Sequence, residues 1–537
     1  VAVIDSLIDE YVEWMFTESP TAATFHGADG HDDRLPDLSA EGHVRREAAE
    51  DRWMDRFAAL RDDELDSAQQ IDRDLVLSQL RGSAITRDWR RWQRDPDSYV
   101  SAGLMGVFSL FVRRLHPEPE LVRSAVARLR AVPDVLDQGR TNLDAGTASA
   151  LLVRRALGQC NAAVVYSRDL LPAEVADDKG RREIADAGAA AATAYESFAG
   201  FLTDLANHAQ GDWALGESRY SRLLREKELL RDDAPSLRDR GRAAHAALDM
   251  EMRELCRRNW KDDDWRTRLD LVNADRPDTP EAMREGYERW TFAARDFLVE
   301  HDLVPFPDGE TCTVEPSPPF QRPVLAVASY FQPPAMRPSL AGRFNVPYPP
   351  EGTTDEELAQ RLADNSFPSM PTTSVHEAYP GHHWHFAWMQ ANASTLRRLV
   401  TTPYFVEGWG LYTEVMMREQ GFYTDAGQEL CHLDARIFRA ARIVADTSLH
   451  CGEMSFDEAV AYMHANTGLT EATARAEVMR YCAWPTQAAS YLTGSLEIER
   501  MRDAWSTSGR GDLKGFHDRL AASGGLPIAL AERALFA

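Results

Sequence analysis

Ser374-Val375-His376-Glu377-Ala378-Tyr379-Pro380-Gly381-His382-His383-Trp384-His385 gathers four histidines and a glutamate into twelve residues. A His-Glu pair followed by another His one helical turn later is a pattern that holds zinc and activates water. Two imidazoles grip the ion and the carboxylate takes a proton. Here Pro380 stands at the i+4 position from His376, and the next imidazoles come at i+6 and i+7, as His382 and His383. On a straight helix His383 would share the face of His376 but lie roughly 10 Å further along the axis, at about 1.5 Å per residue. Two nitrogens on one tetrahedral zinc are only about 3.3 Å apart, given bonds of about 2.0 to 2.1 Å. A straight helix therefore cannot serve. Pro380 has no N–H for the carbonyl of His376, and Gly381 removes the steric penalty of deformation. A bulge that loops out the extra residues would return His382 to the place of an i+4 ligand. His376 and His382 are the expected metal ligands, with His383 as the alternative to His382.

The third ligand is sought downstream, in Tyr404-Phe405-Val406-Glu407-Gly408-Trp409-Gly410-Leu411-Tyr412-Thr413-Glu414. Glu407 follows His382 by 25 residues, enough for one helix to end and a second to return beside it. Glu414 lies at i+7 from Glu407, on the same helical face, so one carboxylate can bind metal while the other supports a ligand by a hydrogen bond. Glu407, set between Phe405-Val406 and Trp409, is the expected ligand, and Glu414 the alternative ligand or supporting residue.

HEAYPGHH at 376–383, EGWGLYTE at 407–414 and PTQAASYLTG at 485–494 together resemble the bacterial domain-of-unknown-function-885 family. That family in turn looks similar to the gluzincin metallopeptidases, above all the helical oligopeptidases of the thimet type. The resemblance covers about the last 220 residues with specific motifs. It implies a zinc peptidase in which a Phe-Val-Glu segment supplies the third ligand, here Glu407. It also implies an edge strand beside the metal-binding helix that holds an extended substrate through its main chain.

An oxyanion-stabilising donor is the remaining requirement of such chemistry. Tyr491 is the candidate, with Gln487 as its i, i+4 partner and Gly494 on the same face; its place resembles the Tyr-bearing C-terminal helix of helical oligopeptidases. Arg480, Tyr481 and His450 are candidate substrate-binding groups. No Gly-x-Ser-x-Gly elbow supports serine catalysis.

The chain has 537 residues, 44% of them apolar, enough for a large buried core. A formal charge of −25 argues against nucleic acid and anionic membrane surfaces, which attract basic patches. The six cysteines form no Cys-x-x-Cys pair, so buried reduced thiols are expected rather than a disulfide framework. No apolar stretch reaches the 18 or more residues of a membrane span. The expected location is the cytoplasm, the alternative being export through a signal peptide trimmed before residue 1.

Residues 1–300 read as successive amphipathic helices. In Leu121 to Val132, Leu121, Val122, Ala125, Val126, Leu129 and Val132 recur at helical spacing, Arg123, Arg128 and Arg130 fall elsewhere, and Pro133 closes the run. Between 303 and 350 prolines accumulate, and Pro323–Phe331 and Gly342–Val346 read as short strands. Helices resume after the metal motifs. The expected fold is mainly α, a large helical protein with a central cleft and a small antiparallel sheet beside the metal-binding helix. Its parts are a helical lobe (1–300), a Pro-rich segment (301–350) and a helical metal-binding region (351–537). The expected function is zinc-dependent hydrolysis of peptide bonds, on a peptide or small-molecule substrate, with Zn2+ as cofactor. The alternatives are a zinc hydrolase of a non-peptide amide or ester, and a non-catalytic helical binding protein.

Overall fold

Apolar residues at three-to-four spacing dominate the chain, and helix is what they form. The computed structural model describes residues 3–322, 327–350 and 352–537. It is mainly helical, with one three-stranded sheet. The chain divides into two compact units, residues 1–215 with 334–337, and residues 216–333 with 338–537. The sequence grouping 1–300 spans that division.

In the first unit, α1 (Asp97–Arg113), α2 (Glu118–Asn142), α3 (Ala150–Val165) and α4 (Asp178–His208) pack on one another. Two expectations fail on α2. Pro133 does not end it; the helix runs on to Asn142, because Val135, Leu136 and Gly139 bury beyond it and outweigh one missing N–H bond. Arg128 is fully buried rather than on an outer face. Its guanidinium donates to the carbonyls of Arg34, Pro20 and His31 at 3.0, 3.2 and 3.2 Å and to Thr24 Oγ1 at 2.6 Å, and also to the carbonyl of Gly106. Five acceptors replace the lost water.

The second unit carries the metal motifs. The elements that frame them are, among others, α5 (Ala234–Trp260), α6 (Pro280–Glu300), β1 (Thr311–Pro316), β2 (Ser329–Phe331), β3 (Ala341–Val346), α7 (Met370–Glu377), α8 (His382–Asn392), α9 (Pro403–Glu419), α10 (Ala426–His450), α11 (Glu471–Ala483) and α12 (Ser490–Ser508). Helix α9 packs along α12, α10 along α5, and α7 against α6 and α9. The sheet order is β1-β3-β2. It is mixed rather than antiparallel: β3 runs parallel to β1, Thr311 opposite Ala341, and antiparallel to β2, Tyr330 opposite Phe344. β1 was not anticipated, since its six residues sit among prolines. Of the expected strand Pro323–Phe331, residues 323–326 lie outside the described residues and Ser329–Phe331 form β2. β2 is an edge strand and β3 the central one.

Among the described residues no helix is long and apolar enough to cross a membrane. None of the six cysteines is in a disulfide, and five of them are buried.

Candidate metal centre

The helix carrying His376 does not bulge at Pro380; it stops. α7 ends at Glu377 and α8 begins at His382, with residues 378–381 as a wide turn between them. The hydrogen-bond ladder widens to span it, Gly381 N–H donating to the Val375 carbonyl at 3.0 Å and Trp384 N–H to that of Ala378 at 3.1 Å. A side chain at Gly381 would run into the carbonyl oxygens of Val375 and His376, so only glycine permits this approach. Trp409 Nε1 donates to the Pro380 carbonyl at 2.8 Å and ties the turn to α9. The break does what the expected bulge was to do. The rings of His376 and His382 lie 4.7 Å apart, edge to face.

Helix α9 receives His376 on the face formed by Glu407, Gly410 and Glu414. The imidazole lies over Gly410, where a Cβ would come within 2.6 Å of its Cε1. From there its two nitrogens reach carboxylates two turns apart. Nε2 is 3.5 Å from Glu407 Oε2, and Nδ1 is 2.8 Å from Glu414 Oε1. His382 Nε2 is also 3.5 Å from Glu407 Oε2. His376, Glu377 and His382 each offer a ligand atom within 4.8 Å of the others.

These residues fit a zinc ion. Each imidazole Nε2 stands 3.5 Å from the same Glu407 oxygen, beyond hydrogen-bond length and close to the roughly 3.3 Å expected between ligands on one tetrahedral zinc. The contact to Glu414 sets Nδ1 of His376 as the proton-bearing nitrogen and leaves Nε2 for the shared point.

Electrostatics follow the same geometry. Burial alone would lower the pKa of His376, but Glu407 and Glu414 bring it up to about 10. Burial opposes ionisation of Glu414, yet His376 and His432 hold its carboxyl down at about 2. Glu407 is held far below the carboxylate range in the same way, its two histidines outweighing burial. Glu377 goes the other way: burial raises its pKa, with His382 and His376 only partly offsetting it. Its Oε2 accepts the main-chain N–H of Tyr330, on edge strand β2, at 2.8 Å.

His383 points elsewhere. Fully buried, it meets Glu310 Oε2 through Nε2 at 2.9 Å and the Tyr330 hydroxyl through Nδ1 at 3.1 Å. Glu310 also accepts from Tyr379 Oη and from Arg295 Nε, both at 2.8 Å. Neither Glu310 nor Tyr330 was found from the sequence. A single Glu before a strand and a Tyr in a Pro-rich stretch carry no local signal of a partnership 50 or more residues away.

Tyr491 stands in the first turn of α12, its hydroxyl accepting from Gln487 Nε2 at 3.3 Å. Its pKa is raised, first by burial and next by the charge of Glu407. Arg480 donates to Gln487 and, at 2.9 Å, to Glu477. Tyr481 Oη donates to Glu477 at 2.7 Å and accepts from Arg442 Nε at 3.2 Å. His450 is fully buried against the Tyr481 carbonyl, 3.0 Å from Nε2.

The family of bacterial proteins of unknown function called DUF885 matches residues 20–535. This chain belongs to that family. Two solved structures have the same fold as this DUF885 protein, each described as a "putative lipoprotein". The one from Shewanella oneidensis, of unknown function, is 21% identical with a TM-score of 0.83 over 100% of both chains. The one from Colwellia psychrerythraea is 19% identical with a TM-score of 0.84, over 99% of this chain and 98% of its own. No curated protein matches this DUF885 chain.

Proposed function

We propose that this chain is a zinc-dependent metallopeptidase that hydrolyses short peptides, organised like the gluzincins. One observation carries the reading. His376 Nε2 and His382 Nε2 each stand 3.5 Å from Glu407 Oε2, and Glu377 adjoins the same point. His376, His382 and Glu407 would hold the ion, which when bound supplies Lewis acidity, polarising a carbonyl and making water more acidic.

The protein's own groups account for the proton traffic. Glu377 has one oxygen on the Tyr330 amide, and its other oxygen can take a proton from the attacking water and return it to the leaving amine. As water oxygen joins the carbonyl carbon, the C–N bond breaks and the amine departs protonated. Burial raises the pKa of this carboxyl, which favours its taking up the proton. The Tyr491 hydroxyl is the donor for the developing oxyanion. β2, at the sheet edge, is the strand along which an extended peptide would lie.

The neighbours' description as lipoproteins supports a location outside the cytoplasm for this chain, which fractionation of native cells tests. For activity, the zinc-loaded protein is incubated with a mixture of short peptides beside Glu377→Gln. Loss of the proton acceptor lowers cleavage at least about a hundredfold. Equal cleavage by both proteins, or none by either, rejects the reading.

A further inference from the structure

On α10, beside α12, stands an arginine that among the described residues has no carboxylate within ion-pair distance. Along α10, Arg436 pairs with Glu499 of α12 at 3.1 Å, and Arg442 pairs with Glu477 of α11 at 2.7 Å. Arg480 shares that same Glu477, at 2.9 Å. Arg439, between the first two on the helix, is left over. Among the described residues its one hydrogen bond is to the carbonyl of Ala435 in its own helix, at 3.2 Å, and its buried Nε has no partner. Its guanidinium carbon lies 5.0 Å from the Phe438 ring and 5.9 Å from the Tyr491 ring, and that of Arg442 lies 4.8 Å from the Tyr491 ring. Arg442 and Arg480 thus share one carboxylate, while Arg439 approaches the same Tyr491 ring as Arg442 without an ion pair of its own. Burial and the neighbouring Arg442 disfavour the charge on Arg439, and Glu414 and Glu477 offset them only in part.

Arg439 is only partly buried, so an anion can reach its guanidinium and form the charge-assisted pair it lacks. The guanidinium is placed where an anion would matter. Tyr491, on whose ring both arginines converge, feels the charge of Glu407. α12, which carries Tyr491, is packed backbone to backbone on α9, which carries Glu407.

We infer that Arg439, beside Tyr491 and next to Arg442 along α10, is the recognition site for a carboxylate on the substrate. This rests on the peptidase reading and narrows its substrate class. A peptide advances about 3.3 to 3.6 Å per residue, so a terminal carboxylate at Arg439 places the scissile bond within the last two or three residues. An Asp or Glu side chain beyond that bond offers the same chemistry. Arg480, donating to Glu477 and Gln487, serves the site by orienting Gln487 and Tyr491.

The test uses zinc-loaded protein and N-acetylated hexapeptides of mixed sequence, each made as free acid and as C-terminal amide, with cleavage read by mass spectrometry. Free acids are cleaved near the C-terminus at least about tenfold faster than amides, the factor expected for one charge-assisted hydrogen-bonded pair. The difference lies mainly in KM. Arg439→Gln brings the acid-to-amide ratio close to one with zinc content unchanged, while Arg439→Lys retains part of it. Amides bearing Asp or Glu cleaved as fast as the free acids, again only with Arg439 present, assign the carboxylate to a side chain. Equal cleavage of all acids and amides, or a preference that survives Arg439→Gln, overturns the carboxylate site and leaves the peptidase reading standing. No cleavage of any peptide removes the peptidase reading itself.

Discussion

Gly408 of α9 and Gly494 of α12 meet without side chains between them; a Cβ on Gly408 would lie 2.6 Å from the Cα of Gly494. A Cβ on Gly494 would in turn run into the carbonyl oxygen of Tyr404. This contact sets the distance between the helix that carries Glu407 and the helix that carries Tyr491. Gly494→Ala is therefore expected to separate the helices and destabilise the protein by about 1–3 kcal/mol, the range for overpacking. It should also weaken zinc retention. Thermal unfolding and metal analysis of the variant check both, and an unchanged Tm with full zinc would contradict the packing argument.

Glu414 acts on the centre through His376 Nδ1, 2.8 Å away. Glu414→Gln keeps the shape but loses the charge that fixes the ring's tautomer. Zinc affinity should fall about 10- to 100-fold, as for other partners of metal-bound histidines, with stoichiometry unchanged at saturation. Competition with a chromophoric chelator measures it. Complete loss of binding would instead make Glu414 a ligand.

His383 and Glu310 form a buried pair apart from the ligand cluster. His383→Ala should leave one zinc per chain and lower stability by about 1–3 kcal/mol, the cost of stranding a partner of a buried polar group. If this variant loses the metal while His382→Ala retains it, the assignment of the two histidines is reversed.

The raised pKa of His376, up to about 10, sets a pH dependence. At neutral pH the metal-free ring holds a proton that zinc must displace, so binding releases a proton and strengthens as pH rises. Without metal the sign for folding is opposite. Because the folded value lies above the ordinary 6.5, the ring's contribution to stability is fully present below 6.5 and is lost as pH climbs toward 10. Calorimetry in two buffers of different ionisation enthalpy counts the proton. Zinc-binding heats independent of buffer would refute it.

The motifs were legible because their chemistry is local. His376-Glu377, the helix-breaking Pro380-Gly381 and the i, i+7 pair Glu407 and Glu414 each announce themselves within a few residues. Even there, the sequence asked only for deformation at Pro380; whether the helix bulges or ends depends on Trp409 reaching back to the Pro380 carbonyl from α9. Arg128 and Pro133 were misread for a related reason, since carbonyls from four distant residues and the packing beyond Pro133 outweigh local propensity. Glu310, Tyr330 and Arg439 were invisible because what distinguishes them is which groups lie near them, or are missing, in three dimensions.

The central claim is that His376, His382 and Glu407 hold one zinc ion, and elemental analysis of the purified protein beside His376→Ala, His382→Ala and Glu407→Ala tests it most directly. About one zinc per chain is expected, the number that three converging ligands can hold, lost or nearly lost in each of the three variants. Absence of zinc from the parent protein even after zinc is supplied, or full retention in Glu407→Ala, would contradict it.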